Sequence, residues 1–244
     1  MSEVQSHVEQ FIVSEQDKEL IEGLLMKVHE ALQHNERVTV ISYQDLPKFF
    51  SKQEIHIIDR VSAIDPTIYG FKGPKLAIEP VPNKLVRVES QPYIYQGGRY
   101  YTDVQFIPEV PYQAFRQMAE AMERQIGRKL VIESSYRSNA FQAITFLEIL
   151  KINSFDIQTT AKRVAVPGYS EHGSPSQLAL DVKNVDGLPS DETPQDFEGT
   201  EEYEWLVANA GAFNFFMSYP KDNLDGIMFE PWHWRYKPSG NVWS

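Results

Sequence analysis

Two short stretches constrain this chain more than any other feature, because their side chains make chemical sense only if the fold brings them together. One is Ser170-Glu171-His172, followed by Leu178-Ala179-Leu180-Asp181; the other is Glu230-Pro231-Trp232-His233-Trp234-Arg235-Tyr236 near the C-terminus. The sequence holds six histidines and no cysteine, so disulfides and thiolate zinc sites are excluded. Two His and one carboxylate supply three protein ligands for a catalytic zinc and leave a fourth position for water. A further carboxylate beside that position is what metal-assisted hydrolysis needs as a general base.

Each signal is weaker alone than in company. On a regular strand Glu230 and His233 face opposite sides, so sharing one site requires a bend, which Pro231 favours. Asp181 closes an apolar run, where a carboxylate is costly to bury unless it is paired or coordinates a cation. By itself it reads as a turn or cap residue; His172 nearby favours the metal. The other histidines, His7, His29, His34 and His56, read as exposed or capping. Trp205, Trp232, Trp234 and Trp243 read as core and cleft wall; the aromatic hairpin at 93–101 reads first as core packing of the N-terminal region, with a partner surface as the alternative.

With 42% hydrophobic and 12% aromatic residues in 244, the chain has enough apolar surface for a real core. A net charge of −11 argues against nucleic-acid or anionic-membrane partners, which are held by Lys and Arg. No apolar run is long enough to span a membrane. The first residues lack a basic start and an apolar core, which predicts a cytoplasmic protein, or a cell-envelope one whose leader has been removed.

The periodicity predicts a helix over 14–34, a short strand over 37–43, a short helix over 46–53 and irregular chain over 65–82. Strands are expected at 84–88, 93–95 and 100–106. Prolines at 108 and 111 suggest a boundary, dividing an N-terminal region, 1–107, from a domain over 108–244. In the latter, helices are expected at 112–126, 139–150 and 201–210, and strands at 130–132, 178–180, 213–218 and 226–234. Helices and antiparallel strands mix without a βαβ rhythm, so the class is α+β: a small antiparallel sheet flanked by helices, with a helical and β-rich N-terminal extension.

From residue 111 onward the chain resembles the VanY-type D-alanyl-D-alanine carboxypeptidases, zinc peptidases of the group that also holds lysostaphin-type peptidases and the Hedgehog signalling domain. The resemblance rests on Ser170-Glu171-His172, Ala179-Leu180-Asp181 and the Glu230–Tyr236 stretch, and on Phe197-Glu198-Gly199-Thr200, Tyr203, Trp205-Leu206 and Ser218-Tyr219-Pro220 between them. Upstream, Ser134-Ser135-Tyr136-Arg137-Ser138 with Gln142 resembles a further family element. The resemblance implies zinc held by His172, Asp181 and His233, with Glu230 as general base. It implies that Arg137 meets a substrate carboxylate or polarised carbonyl, with Ser138, Gln142, Ser170 and Trp232 as further substrate contacts. It also implies hydrolysis of the terminal bond of a peptidoglycan-type peptide ending in D-Ala-D-Ala. The same site could serve a D,D-dipeptidase, an L,D-carboxypeptidase or a lysin-type endopeptidase, or persist as a non-catalytic zinc-containing binding module. One departure stands out: the family spaces the first His and the Asp seven apart with a Gly three after the His. Here residues 173–177 make the spacing two longer, with Gln177 near the usual Gly, so the mouth of the site is expected to be reshaped. Asn214 stands where the family has Gly, a position suited to positive φ, which Asn tolerates.

Overall fold

Ser14 opens the first helix, α1 (Glu15–His34). Its hydroxyl accepts from the Asp17 amide at 3.1 Å while the Asp17 carboxylate accepts from the Ser14 amide at 2.9 Å, a reciprocal capping box. The computed structural model describes residues 11–77, 79–188, 193–224 and 227–238; His7 and Trp243 lie outside them. Residues 37–43 are not a strand. Asn35 accepts from the Arg37 amide at 3.1 Å and starts a 3-10 turn, Glu36–Val40, that buries Val38 and Val40. The second helix also lies later than its expected position at 46–53. Pro47 sits in another 3-10 turn, Tyr43–Lys48, and the Ser51–Glu54 capping box starts α2 (Lys52–Ser62).

Two nested hairpins follow. Strand β1 (Val86–Val88) is followed by β2 (Pro92–Tyr95) and β3 (Gly98–Tyr101), which pair with each other. Strand β4 (Gln105–Ile107) returns to pair with β1. Gln96 and Gly97, with φ of 49° and 78°, make the left-handed turn that a two-residue hairpin favours. The tyrosines here are not core: Ile94, Tyr100 and Tyr101 are exposed, and Tyr93 and Tyr95 pack against the Tyr100 ring.

Next come α3 (Glu109–Ile126), stopped by left-handed Gly127 at φ +68°, β5 (Leu130–Ser134) and α4 (Asn139–Ile152). A short helix that periodicity does not predict, α5 (Ile157–Arg163), is capped by Asp156. Then follow β6 (Ala179–Asn184), α6 (Pro194–Glu198), α7 (Glu201–Asn209), β7 (Phe215–Met217) and β8 (His233–Tyr236). Asn214 has φ 65° just before β7. The last strand is shorter than the 226–234 expected and starts later, because residues 230–233 turn, with the His233 amide donating to the Glu230 carbonyl at 3.2 Å. Strands β5, β6, β8 and β7 form one antiparallel sheet in that order, so the class is α+β.

Two apolar cores result. One packs α3, the sheet and α7 together with Val40, Val88, Phe106 and Ile107. The other joins α1 and α2 to α4 through Ile21, Leu24, Ile57, Ile58, Phe146 and Leu147. Helix α4 is apolar nearly all round, as a helix covered on several sides must be. Both cores draw residues from either side of residue 108.

Candidate metal centre

The sheet register builds the centre. Asp181 and His233 are direct partners on β6 and β8, so their side chains leave the same face. His172 arrives from outside the sheet, on the 3-10 turn Glu171–Gly173. That turn is zipped to the β5–α4 connection: the Arg137 amide donates to the His172 carbonyl at 3.0 Å. His172, Asp181 and His233 each bring one ligand atom within 4.8 Å of the others, and all sit below the surface.

The hydrogen bonds select which ring nitrogens face the centre. Nδ1 of His172 lies 2.9 Å from the Ser135 carbonyl, which can only accept, so Nδ1 donates there and Nε2 is the nitrogen that faces Asp181 Oδ2, at 3.1 Å. Nε2 of His233 lies 3.0 Å from Glu171 Oε2 and donates to it. That leaves Nδ1 facing Asp181 Oδ1 at 2.9 Å and Glu230 Oε2 at 3.7 Å. The 230–233 turn puts Glu230 on the same side as His233.

Electrostatics follow from burial and from three clustered carboxylates. Burial opposes charge on His233, but hydrogen bonds to Asp181 and Glu171 outweigh it and push its pKa up to about 10. Burial likewise opposes ionisation of Asp181, yet His172 and His233 hold its carboxyl far below the usual range. Against the same penalty, Glu171 is lowered to about 2 by His233, Arg235 and Ser218. Glu230 goes the other way: burial, with Asp181 and Glu171 adding repulsion against the pull of His233 and Arg137, raises it to about 7. His172 is lowered, chiefly by burial, against the pull of Asp181. The pocket therefore favours positive charge between Asp181 and His233. Two imidazole lone pairs and a carboxylate are a zinc donor set, and a cation bound there would take the place of the His233 proton.

A cleft of about 290 Å³ opens on the centre and is lined by all three donors, Glu230, Arg137, Gln142, Ser170 and Trp232. Arg137 has its Nε enclosed without a partner. Gln142 is buried; its Nε2 donates to the Ala165 carbonyl at 2.7 Å while its Oε1 has no partner. Ser138 is elsewhere. Its hydroxyl caps α4 by accepting from the Phe141 amide at 3.1 Å, and it lines a larger neighbouring cleft of about 920 Å³ that contains none of the three donors. The chemistry therefore picks the smaller cleft. Of the other sequence candidates, His29 is exposed and pairs with Glu148 at 3.0 Å, His34 ends α1 and His56 is exposed. Trp205 and Trp234 are buried.

The family model described as VanY, D-alanyl-D-alanine carboxypeptidase, matches residues 107–239, more than half of the chain. The chain belongs to the VanY family. A D-alanyl-D-alanine carboxypeptidase of Enterococcus faecalis (strain ATCC 700802 / V583) is 44% identical over 75 residues, 30% of this chain and 24% of that protein. The bifunctional D-Ala-D-Ala dipeptidase and D-Ala-D-Ala carboxypeptidase VanXYC of Enterococcus gallinarum is 32% identical over 137 residues, 55% of this chain and 68% of that protein. Among solved structures, the LdcB LD-carboxypeptidase, described as revealing the molecular basis of peptidoglycan recognition, is 26% identical with a TM-score of 0.50. That match covers 64% of this chain and 68% of the other. The chain thus spans about a quarter of the Enterococcus faecalis relative.

Within this VanY-family site, no role is read from the sequence for Glu171, which contacts His233, or for Arg235 and Ser218, which contact Glu171. Buried Glu171 accepts from His233 Nε2, from Arg235 at 3.0 Å and from the Ser218 hydroxyl in a short contact. Arg235 in turn reaches the Gln177 side chain at 2.5 Å and its carbonyl at 3.3 Å. The lengthened 173–177 loop is thereby tied to the candidate ligand His233. Glu171 and Arg235 sit inside the quoted motifs; the signal was their place between ligand residues, and a role as each other's partner is not visible in one dimension.

Proposed function

We propose that this protein is a zinc-dependent D-alanyl-D-alanine carboxypeptidase that removes the terminal residue of peptidoglycan-type peptides. The observation that carries this reading is the convergence of His172, Asp181 and His233 in one cleft with Glu230 3.7 Å from His233. In it His172 Nε2, Asp181 and His233 Nδ1 would hold the metal. When bound, zinc polarises the scissile carbonyl and acidifies the attacking water. Glu230, poised near neutrality, accepts the proton of that water and returns it to the leaving amine. Arg137 is held by its enclosed setting, and its unpartnered donor suits a carboxylate or the oxygen on which negative charge develops. Burial of the floor excludes bulk water, which strengthens each of these interactions.

The test is release of D-alanine from a pentapeptide ending in D-Ala-D-Ala, with zinc, with chelator and after zinc is restored. Likeness to the LdcB LD-carboxypeptidase gives a second reading, in which a tetrapeptide with one terminal D-Ala is the better substrate. Running both peptides, with D-Ala-D-Ala itself as a third, separates these bonds. Glu230→Ala protein that turns over at the wild-type rate would remove Glu230 as the base. Zinc-loaded protein inert on all three, and on a cross-linked muropeptide that tests the lysin-type endopeptidase, would leave a zinc-containing binding module.

A further inference from the structure

The metal cleft has one wall that comes from outside the family segment. Phe71 lines it together with the donors, although the family match begins at residue 107. The chain around Phe71 is docked along the segment that carries His172. Leu76 and Ala77 both donate their amides to the Gly168 carbonyl, at 2.9 and 3.0 Å. Asn139 clamps the joint, accepting from the Gly168 amide at 3.0 Å and donating to the Ala77 carbonyl. Glu79 accepts from the hydroxyls of Ser174 and Ser176 at 3.2 and 2.7 Å, inside the loop that is two residues longer than the family pattern. The extra length thus forms part of the dock. Gly173 permits close approach, since a Cβ there would come within 2.6 Å of the Ala77 Cβ.

The Phe71 ring is fixed edge-on to Tyr169, at 5.7 Å and 84°, and lies flush over Gly73, where a Cβ would meet it at 2.5 Å. The floor of the cleft, with Glu171, His172 and His233, is buried, whereas Phe71 is half-buried and shares the rim with exposed Lys162, Arg163 and Met228. An exopeptidase holds its terminal residue at the floor, so the rest of the peptide leaves past the rim. We propose that Phe71 is a specificity-determining residue that contacts the part of the peptide upstream of the terminal D-Ala-D-Ala. This rests on the carboxypeptidase reading for the direction of the chain. An aromatic face supplies apolar contact area to a passing peptide at low conformational cost.

The experiment compares affinities, so that hydrolysis is not needed. In zinc-loaded Glu230→Ala protein, dissociation constants are measured by calorimetry for a D-Ala-D-Ala-ended pentapeptide and for D-Ala-D-Ala alone. Adding Phe71→Ala is expected to lower the preference for the pentapeptide over the dipeptide at least fivefold, and Phe71→Leu to restore part of it. Both variants should keep the wild-type melting temperature, since Phe71 is not in either core. An unchanged preference, or one lowered equally by Phe71→Leu and Phe71→Ala, overturns the proposal. Failure of the wild type to release D-alanine from that pentapeptide would instead remove the D-Ala-D-Ala carboxypeptidase reading, and the affinity ratio would still decide the role of Phe71.

Discussion

At the scale of single residues, the metal centre depends on a tautomer. Glu171 accepts the hydrogen bond of His233 Nε2 and so leaves Nδ1 facing the candidate metal position. A ligand histidine loses affinity when the partner of its other nitrogen is weakened. Glu171→Gln is therefore expected to weaken zinc binding by roughly 10- to 100-fold, read by competition with a chromophoric chelator; unchanged affinity would mean that the backbone alone sets the ring. Glu230→Gln is expected to keep zinc, because Glu230 stands outside the three donors, while D-alanine release falls by roughly 10²-fold or more. The donors were legible in the sequence because their identity and order carry the chemistry. Glu171 and Phe71 were not, because what places each at the cleft lies far along the chain: His233 and Arg235 for one, Tyr169 and the docked loop for the other.

At the scale of elements, local chemistry was readable wherever a cap or a long period marks an end. Ser14 with Asp17, Gly127 after α3 and the 139–152 helix all announce themselves. Residues 37–43 did not, because alternating β-branched residues fit a buried 3-10 turn as well as a strand, and the Asn35 cap decides between them. Helix α5 was too short to show a period. Coupling between α1 and α2 runs through Lys27 and buried Glu54, whose carboxylate oxygens both lie 2.8 Å from the ammonium. Burial works against Glu54 ionising, but the bonds from Lys27 and Ser51 prevail and its pKa is lowered from the usual 4.5. A lowered folded pKa stabilises above the unfolded value, and that contribution is lost as pH falls through the folded one. Urea unfolding of wild type and Glu54→Gln should thus differ at pH near 6 and converge well below 4.5; a gap independent of pH would contradict the assignment. In α4, Leu147→Ala should cost about 2–5 kcal/mol of stability in the same assay, because Leu147 is fully buried.

At the scale of the whole molecule, the boundary expected at residue 108 marks where the family match starts, but the two cores run across it. A fragment beginning at residue 108 would expose the side of α4 that covers Ile21, Leu24 and Ile58. It is expected to lack cooperative thermal unfolding, and a fragment with a sharp transition and intact zinc affinity would show that the family segment folds alone. The described residues before 108 thus supply most of one core, part of the other and one wall of the cleft, a use that neither their composition nor their periodicity reveals. Among the described residues no helix is long and apolar enough to cross a membrane. The central claim is that His172, Asp181, His233 and Glu230 form a working zinc peptidase centre, and one measurement tests it most directly: D-alanine released from a D-Ala-D-Ala-ended pentapeptide. Zinc-loaded protein should release it, chelator should abolish release and added zinc should restore it. Fully zinc-loaded protein that frees no D-alanine from that peptide would contradict the reading of these four residues as a D-Ala-D-Ala carboxypeptidase centre.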